Sequence, residues 1–290
     1  MDIDQLQAFL HVANSKSFTR AAEKMNVVQS TITTRVQMLE RHIGKDLLKR
    51  DKRNIGLTSA GRSFLPYAER IVDLSREGMK VLQLEQTFHD QLVIGTTHAL
   101  WDYVIFEAID AFQKSNSQIA IRTITEHSSF IIRKMIDGLI DLGIVFYPVY
   151  HSKIDSIPII EDTFKLVAAP GFQLTDSPLT SEDLRSIPYI HLNWGGSFAE
   201  WVHQIFGKNY VFQLEVDHVS LLLKFLEKNK SVGFLPHCIS KKLIANGTLI
   251  SIPFIADVPL PKRLIYLVNR KRNSNIDDLE QLVSYIKRSF

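Results

Sequence analysis

The period of the hydrophobic pattern changes once along the chain, near residue 90, and this limits the fold more than any other feature. Before it, apolar residues recur at spacings of three and four, as on one face of a helix; beyond it, short apolar runs bounded by turn residues alternate with helical stretches. A helical N-terminal region followed by an α/β region is predicted. The 290 residues are enough for two or three domains. No apolar run approaches the roughly 18 residues of a membrane span, and Met1 to Phe18 lacks the basic start and apolar stretch of a secretory signal. A cytosolic protein with no membrane partner is expected. One cysteine, Cys238, allows neither an internal disulfide nor a zinc cluster, so no metal or cofactor is expected and the thiol is read as a small buried hydrophobe.

In the helical region, Leu6, Phe9, Leu10 and Ala13 mark a first amphipathic helix from about Asp4 to Ala13. Ser17 is placed to cap a second, Phe18 to Met25, on which Ala21 and Ala22 let a neighbouring helix come close. A third opens near Gln29, with Ile32, Val36, Leu39 and Ile43 as its buried stripe. At about 100° per residue, Gln29, Ser30, Thr33, Thr34, Gln37 and Arg41 fall within one wedge of about 140° away from that stripe. A merely solvated face would more often carry Lys and Glu, whereas these side chains supply short donors and acceptors suited to base edges in a major groove. Short helix, tight turn and polar-faced second helix match helix-turn-helix docking, although three-helix clusters also occur in proteins that never touch DNA.

Charge favours the nucleic-acid reading. Residues 1–66 hold 11 Lys and Arg against 6 Asp and Glu, a net of +5, while the rest of the chain nets −2. The excess is densest in Lys45, Lys49, Arg50, Lys52 and Arg53, the last four of them between the apolar stretches Leu47-Leu48 and Ile55 to Leu57. That spacing predicts a hairpin wing with a cationic loop able to lie along phosphates.

Phe18, Thr19, Ala21, Ala22, Gln29-Ser30, Arg35, Leu39-Glu40, Gly44, Leu47, Arg50, Arg53 and Leu57-Thr58-Ser59-Ala60-Gly61 resemble, in order and spacing, the winged helix-turn-helix signature of LysR-type transcriptional regulators. Leu48 stands where the family usually has Phe, and Ser30-Thr31 where Pro-Ala or Pro-Ser is common. The second departure alters the recognition face. On this resemblance Gln29, Ser30, Thr31, Thr33, Thr34 and Gln37 are expected at base edges, and Arg35, Arg50, Arg53 and Thr58 at phosphates.

From Thr58 to about His89 a long amphipathic helix is predicted, interrupted only by Pro66 near its start. Its seam, Phe64, Ala68, Ile71, Val72, Met79 and Leu82, would run roughly 40 to 45 Å, too long for one small domain to cover. Such a seam either lies on the C-terminal region or pairs with a second copy; the resemblance implies a homodimer that pairs further into a homotetramer. The domains expected are residues 1–60 for DNA, 58–89 for dimerisation and 90–290 for an effector. The last reads as two α/β subdomains like those of periplasmic binding proteins, about 90–162 with 267–290, and about 163–266, with a ligand cleft between them.

Asp137 to Ile144 and Val232 to Pro236 resemble weaker elements of the same family. Ligands in such folds sit at strand ends and helix N-termini, where amides and hydroxyls favour an anion. By position, Thr96, Thr97, His98, Ser128 and Ser129 are candidates in one subdomain, and Trp194 and Phe198 in the other. The plainer alternative makes the hydroxyls helix caps and the aromatics packing. No Arg or Lys in these loops commands assignment as counter-ion. Gly195-Gly196-Ser197-Phe198-Ala199 nearly spells a nucleophile elbow but lacks its final Gly and a strongly apolar strand before it, so Ser197 reads as a helix cap. The P-loop, His-Glu-x-x-His and dinucleotide fingerprints do not occur. The expectation is a non-enzymatic, cytoplasmic and nucleoid-associated regulator that binds double-stranded DNA and a small anionic effector; the alternative is a solute-binding protein or hydrolase with an incidental helical appendage.

Overall fold

The computed structural model describes residues 1–51, 54–84, 88, 90–173, 177–271 and 276–290; the side chains of 50, 51, 54, 80–84, 229, 276–279 and 289 are outside the description. The chain divides into two compact units, Met1–Phe88 and His89–Phe290. In the first, helix α1 spans Ile3–Ser15, α2 Phe18–Lys24 and α3 Gln29–Ile43; strands β1, Leu48–Asp51, and β2, Asn54–Leu57, form an antiparallel hairpin, and α4 spans Ser59–Leu84. Asp2 sets the start of α1 by a reciprocal cap with Gln5. Ser17 Oγ accepts from Arg20 N at 3.3 Å and starts α2. Ile32, Val36 and Leu39 are wholly buried, and α3 stops at Gly44, whose φ of +74° suits the left-handed cap.

Glu40, on the last turn of α3, faces inward. Its Oε1 accepts from the amides of Leu47 at 2.8 Å and Leu48 at 3.0 Å, so a buried carboxylate positions the entry to the wing. Helix α4 is capped by Thr58, whose Oγ1 accepts from Gly61 N at 2.9 Å and donates to Asp46 O at 2.7 Å. Ala68 and Val72 are buried in the same core as α1, with Phe64 and Ile71 packed against it. The early part of the expected seam is therefore covered within this unit, and only Met79 of the later part is both described and exposed; Leu82 and His89 lie outside the described side chains. Tyr67 and Leu74 are exposed on the same helix. Pro66 lies inside α4, beyond its first turn.

The second unit opens with β3, Asp90–Thr96, then α5, His98–Leu100, which continues through a π-helical turn, Trp101–Ile105, into α6, Phe106–Ser115. Next come β4, Ile119–Thr125, α7, Ser128–Ile136, β5, Leu142–Val145, and β6, Ile154–Asp162. The chain then builds a second lobe from β7, Phe164–Ala168, β8, Leu179–Thr180, β9, Ile190–Leu192, α8, Gly196–Phe206, β10, Leu214–Val216, α9, Val219–Asn229, β11, Val232–Pro236, α10, His237–Ala245, β12, Ile250–Ser251, and β13, Phe254–Ile255. It returns through β14, Arg263–Arg270, and ends in α11, Ile276–Ser289.

The first lobe carries a five-stranded sheet ordered β4-β3-β5-β14-β6, with β4, β3 and β5 mutually parallel and β14 antiparallel to both its neighbours. The second holds the antiparallel sheet β11-β7-β12 and the parallel pairs β9 with β10 and β8 with β13. Because β14 pairs with β6 from Arg263 onward, residues 263–266 belong to the first lobe's sheet and not to the second. The two crossings lie side by side, since Arg263 stands opposite Asp162.

His191 is buried in the second lobe, stacked on Phe212 with ring centroids 4.1 Å apart. Burial, then the charge of His203, pulls its pKa down from 6.5 to about 4. The folded state therefore binds its proton less readily than the unfolded chain: the stabilising difference is complete above pH 6.5 and is lost as pH falls towards 4. At about 1.4 kcal/mol per unit the whole shift sets an upper bound of about 3.5 kcal/mol across that window, which solvent screening of the ring reduces. His191→Gln is expected to flatten that slope in denaturant melts; an unchanged slope would place the acid sensitivity elsewhere.

Candidate functional site

Helix α3 presents the polar wedge as the sequence spacing implies. Gln29, Ser30, Thr34, Gln37 and Arg41 are exposed, while Thr31 and Thr33 are half-buried. Thr33 Oγ1 donates to Gln29 O at 3.1 Å, and Thr19 Oγ1 to Gln29 Oε1 at 3.3 Å, which ties the start of α2 to the start of α3. Arg35 is turned to the opposite edge of the helix, where Nη2 donates to Asp4 Oδ2 of α1. It joins two helices in this state. Thr58 is likewise engaged: its one hydroxyl proton is given to Asp46 O, so it caps a helix and has no donor left for a phosphate. In the wing, Arg50 pairs through its backbone with Ile55 and Lys49 is exposed; the Arg50 side chain and all of Arg53 lie outside the described residues.

In the second unit the effector candidates separate into two groups. Thr96, at the end of β3, is wholly buried and its Oγ1 donates to Ile144 O at 2.7 Å, which locks β3 to β5. Ser128 is buried and its Oγ accepts from Phe146 N at 3.2 Å. Phe198 is 1% exposed, with its ring centroid 4.4 Å from that of Phe164. Thr96 and Ser128 brace the sheet with hydroxyls already engaged, whereas Phe198 packs on Phe164 and also lines the pocket beside α8. Thr97 is different, because its Oγ1 is buried with no hydrogen-bond partner. His98 and Ser129 are exposed, and the His98 ring meets His218, at the N-terminus of α9 in the other lobe, edge-on at 5.1 Å.

A pocket of about 370 Å³ lies where Phe146 and Tyr147, after β5, face the turn before α8 and the two crossing segments. Trp194 lines it, with Nε1 donating to Phe234 O at 2.9 Å to hold the ring in place. Gly195 and Gly196 have φ of +68° and +48°, a left-handed pair that few other residues adopt, and α8 begins there without a side-chain cap. Ser197, in the first turn, does not cap the helix as the sequence suggested; its Oγ lies 3.4 Å from Lys262 O. A buried strand, β9, does precede this turn, contrary to expectation, but the hydroxyl's described hydrogen bond is to a backbone carbonyl and not to a base.

Arg263 is the residue that sequence reasoning missed. Its side chain is 10% exposed and lies over Phe146 at 4.2 Å, Phe164 at 5.3 Å and Trp194 at 5.4 Å. Asp162, 2% exposed, faces it at 3.6 Å, an ion pair rather than a hydrogen bond. Asp162 is bonded instead to Cys238, accepting from its amide at 3.1 Å and from Sγ at 3.0 Å. Burial, with the Asp162 charge, pushes the Cys238 thiol pKa well up, so the thiol stays protonated, consistent with an inert buried group. The only sequence signal for Arg263 was a basic pair, Lys262-Arg263, opening an apolar strand.

The helix-turn-helix region matches the family model for the bacterial regulatory helix-turn-helix protein, lysR family, over residues 3–62, and the second unit matches that for the LysR substrate binding domain over residues 85–290. The HTH-type transcriptional regulator HdfR of Yersinia pestis (strain Pestoides F) is 24% identical over 282 residues, covering 96% of this chain and 95% of that protein. The same regulator from Yersinia pseudotuberculosis serotype O:1b (strain IP 31758) gives the same figures. Among solved structures, CbnR, a LysR family transcriptional regulator, has a TM-score of 0.71 at 21% identity, covering 100% of this chain and 99% of that one. Full-length CbnR complexed with its target DNA has a TM-score of 0.70 at 23% identity, with both chains covered completely. Full-length LysG of Corynebacterium glutamicum with the effector Arg bound has a TM-score of 0.54 at 16% identity, covering 100% of this chain and 98% of that one. Among the described residues no helix is long and apolar enough to cross a membrane. With both family domains present in this order over nearly its whole length, the chain belongs to the LysR family, as a helix-turn-helix DNA-binding transcriptional regulator that carries a substrate-binding domain.

Proposed function

We propose that α3 reads an operator through Gln29, Ser30, Thr33, Thr34 and Gln37, with Thr31 at the margin, while Arg50 and Arg53 of the wing hold phosphates. The observation that carries this is the one-sided exposure of α3, a polar face with a single cation set opposite an apolar stripe in which Ile32, Val36 and Leu39 are fully buried. Arg35 joins the phosphate contacts by exchanging Asp4 for the DNA backbone. The exposed Tyr67, Leu74 and Met79 on α4 support pairing with a second copy, a homodimer that assembles further into a tetramer and so presents two recognition helices to a two-fold site. The protein works in the cytoplasm on the nucleoid, and acts by binding rather than by turnover.

The second unit takes a small anionic effector between its lobes, at Thr97, His98 and Ser129 on one side and Trp194 on the other. The bound arginine of LysG and the bound DNA of CbnR are properties of those proteins that this reading extends to the present chain. Gln29→Ala is expected to weaken operator binding by about 1 to 3 kcal/mol and to leave unrelated DNA nearly unaffected. Arg50→Ala should weaken both and lower the salt slope by about 0.9. Salt titrations on operator and unrelated DNA measure both effects, and no operator binding by the intact protein would sink the proposal. A footprint on DNA flanking the native gene, repeated with a pool of metabolites, tests the effector.

A further inference from the structure

We propose that the pocket at Arg263 is the subsite for a monocarboxylate with a planar apolar body, its carboxylate held by the Arg263 guanidinium and the first-turn amides of α8. The inference rests on the reading of this unit as an effector domain and names the class of ligand. Three observations converge on it. Arg263 lines the pocket, yet its Nε is buried without any acceptor and its Nη2 faces only the Asp162 carboxylate at 3.6 Å, too far for a hydrogen bond, and a buried donor left so calls for a further partner. Helix α8, eleven residues long, begins beside it with no side-chain cap, and a Cβ added at Gly196 would meet open space, so the helix N-terminus is accessible to an anion. Phe146, Trp194 and Tyr266 line the same pocket and supply flat apolar surface.

Charge limits the ligand to one carboxylate. Asp162 already offsets much of the Arg263 charge from behind, and the Lys262–Glu161 pair at 2.6 Å on the pocket wall is neutral as a unit. A second carboxylate would be desolvated among aromatic rings without a counter-ion. The volume of about 370 Å³ suits one six-membered ring and its carboxylate.

Benzoate is the probe, titrated into the full-length protein by calorimetry, with benzamide as the uncharged isostere and phthalate as the dianion. Saturable benzoate binding is expected, with benzamide and phthalate at least about tenfold weaker. Arg263→Lys keeps the charge and loses the planar fork, and should weaken benzoate at least about tenfold. Ser197→Trp is the second variant, because it fills the pocket mouth without touching the buried ion pair; thermal melts verify that each variant is folded. The proposal is overturned by no saturable benzoate binding up to about 50 mM, by equal binding of benzamide, or by undiminished binding in Ser197→Trp. A footprint that responds to other metabolites while benzoate fails to bind overturns this subsite and leaves the regulator intact. Benzoate bound in an Arg263-dependent way with no change in the footprint supports the subsite and counts against the effector reading.

Discussion

Replacing Gly61 with Ala is expected to lower the melting midpoint of the N-terminal unit by about 10 to 20 °C. An ideal Cβ on Gly61 would stand 2.0 Å from the Leu47 carbonyl oxygen and 3.1 Å from Leu57 Cδ2. The carbonyl is backbone, and it is pinned from both sides. Leu47 O accepts from Thr58 N at 2.9 Å, and Leu47 N donates to the buried Glu40 carboxylate at 2.8 Å. Retreat by about 1 Å breaks one of these bonds, a cost of about 3 to 4 kcal/mol with the overpacking included. Better helix propensity returns about 1 kcal/mol, which leaves a net loss of about 2 to 3 kcal/mol. Gly78 provides the control on the same helix: a Cβ there meets nothing within 4 Å, so Gly78→Ala is expected to be neutral or slightly stabilising. Circular dichroism melts of both variants decide the matter, and a Gly61→Ala midpoint within about 3 °C of the parent would show that the wing junction yields freely. Loss of operator binding should accompany the destabilisation, because the displaced segment carries the wing.

The contrast between these two glycines shows where sequence reasoning reaches and where it stops. Local periodicity and capping chemistry made α1 to α3 and the hairpin legible, because Ser17, the Ile32-Val36-Leu39 stripe and the cations between Leu48 and Ile55 act within a few residues of one another. Contacts between distant segments were not legible. The Arg35–Asp4 pair joins residues 31 positions apart, and nothing near Arg35 distinguishes it from a free phosphate ligand. Thr96 was placed correctly at a strand end, but its burial depends on β5 lying alongside, 48 residues later.

The same limit explains the two crossings. Strand β6 carries Pro158, which argues against a central strand; it is tolerated because β6 is the sheet edge and the register shifts against β14 close by. Without β6 there was no partner for Arg263, and the Lys262-Arg263 pair resembled any other basic step at the surface. Trp194 was found because an aromatic beside two glycines is locally conspicuous. Its neighbours in the pocket, Phe146, Phe164 and Tyr266, come from three separate segments.

Arg263→Met is expected to destabilise the second unit by about 3 kcal/mol, and Asp162→Asn in the same chain to restore most of it. Removing the guanidinium leaves a carboxylate 2% exposed with no cation beside it, and breaking a buried pair from one side costs about 3 to 5 kcal/mol. The low end applies, because Asp162 keeps hydrogen bonds from Thr163 N at 3.0 Å, Cys238 N at 3.1 Å and Cys238 Sγ at 3.0 Å. Neutralising Asp162 as well removes the charge that needed a partner, while Asn Oδ1 still accepts from both amides. Met fills much of the volume among the aromatic rings, so the double variant loses little packing. For a unit of this size the single substitution should lower the midpoint by about 6 to 12 °C, and the double should recover at least half. If the single variant melts with the parent, the two crossings are held by backbone pairing alone. If the double melts below the single, Asp162 is worth more as a hydrogen-bond hub for Cys238 than it costs as a buried charge, and Arg263 is free to serve the ligand.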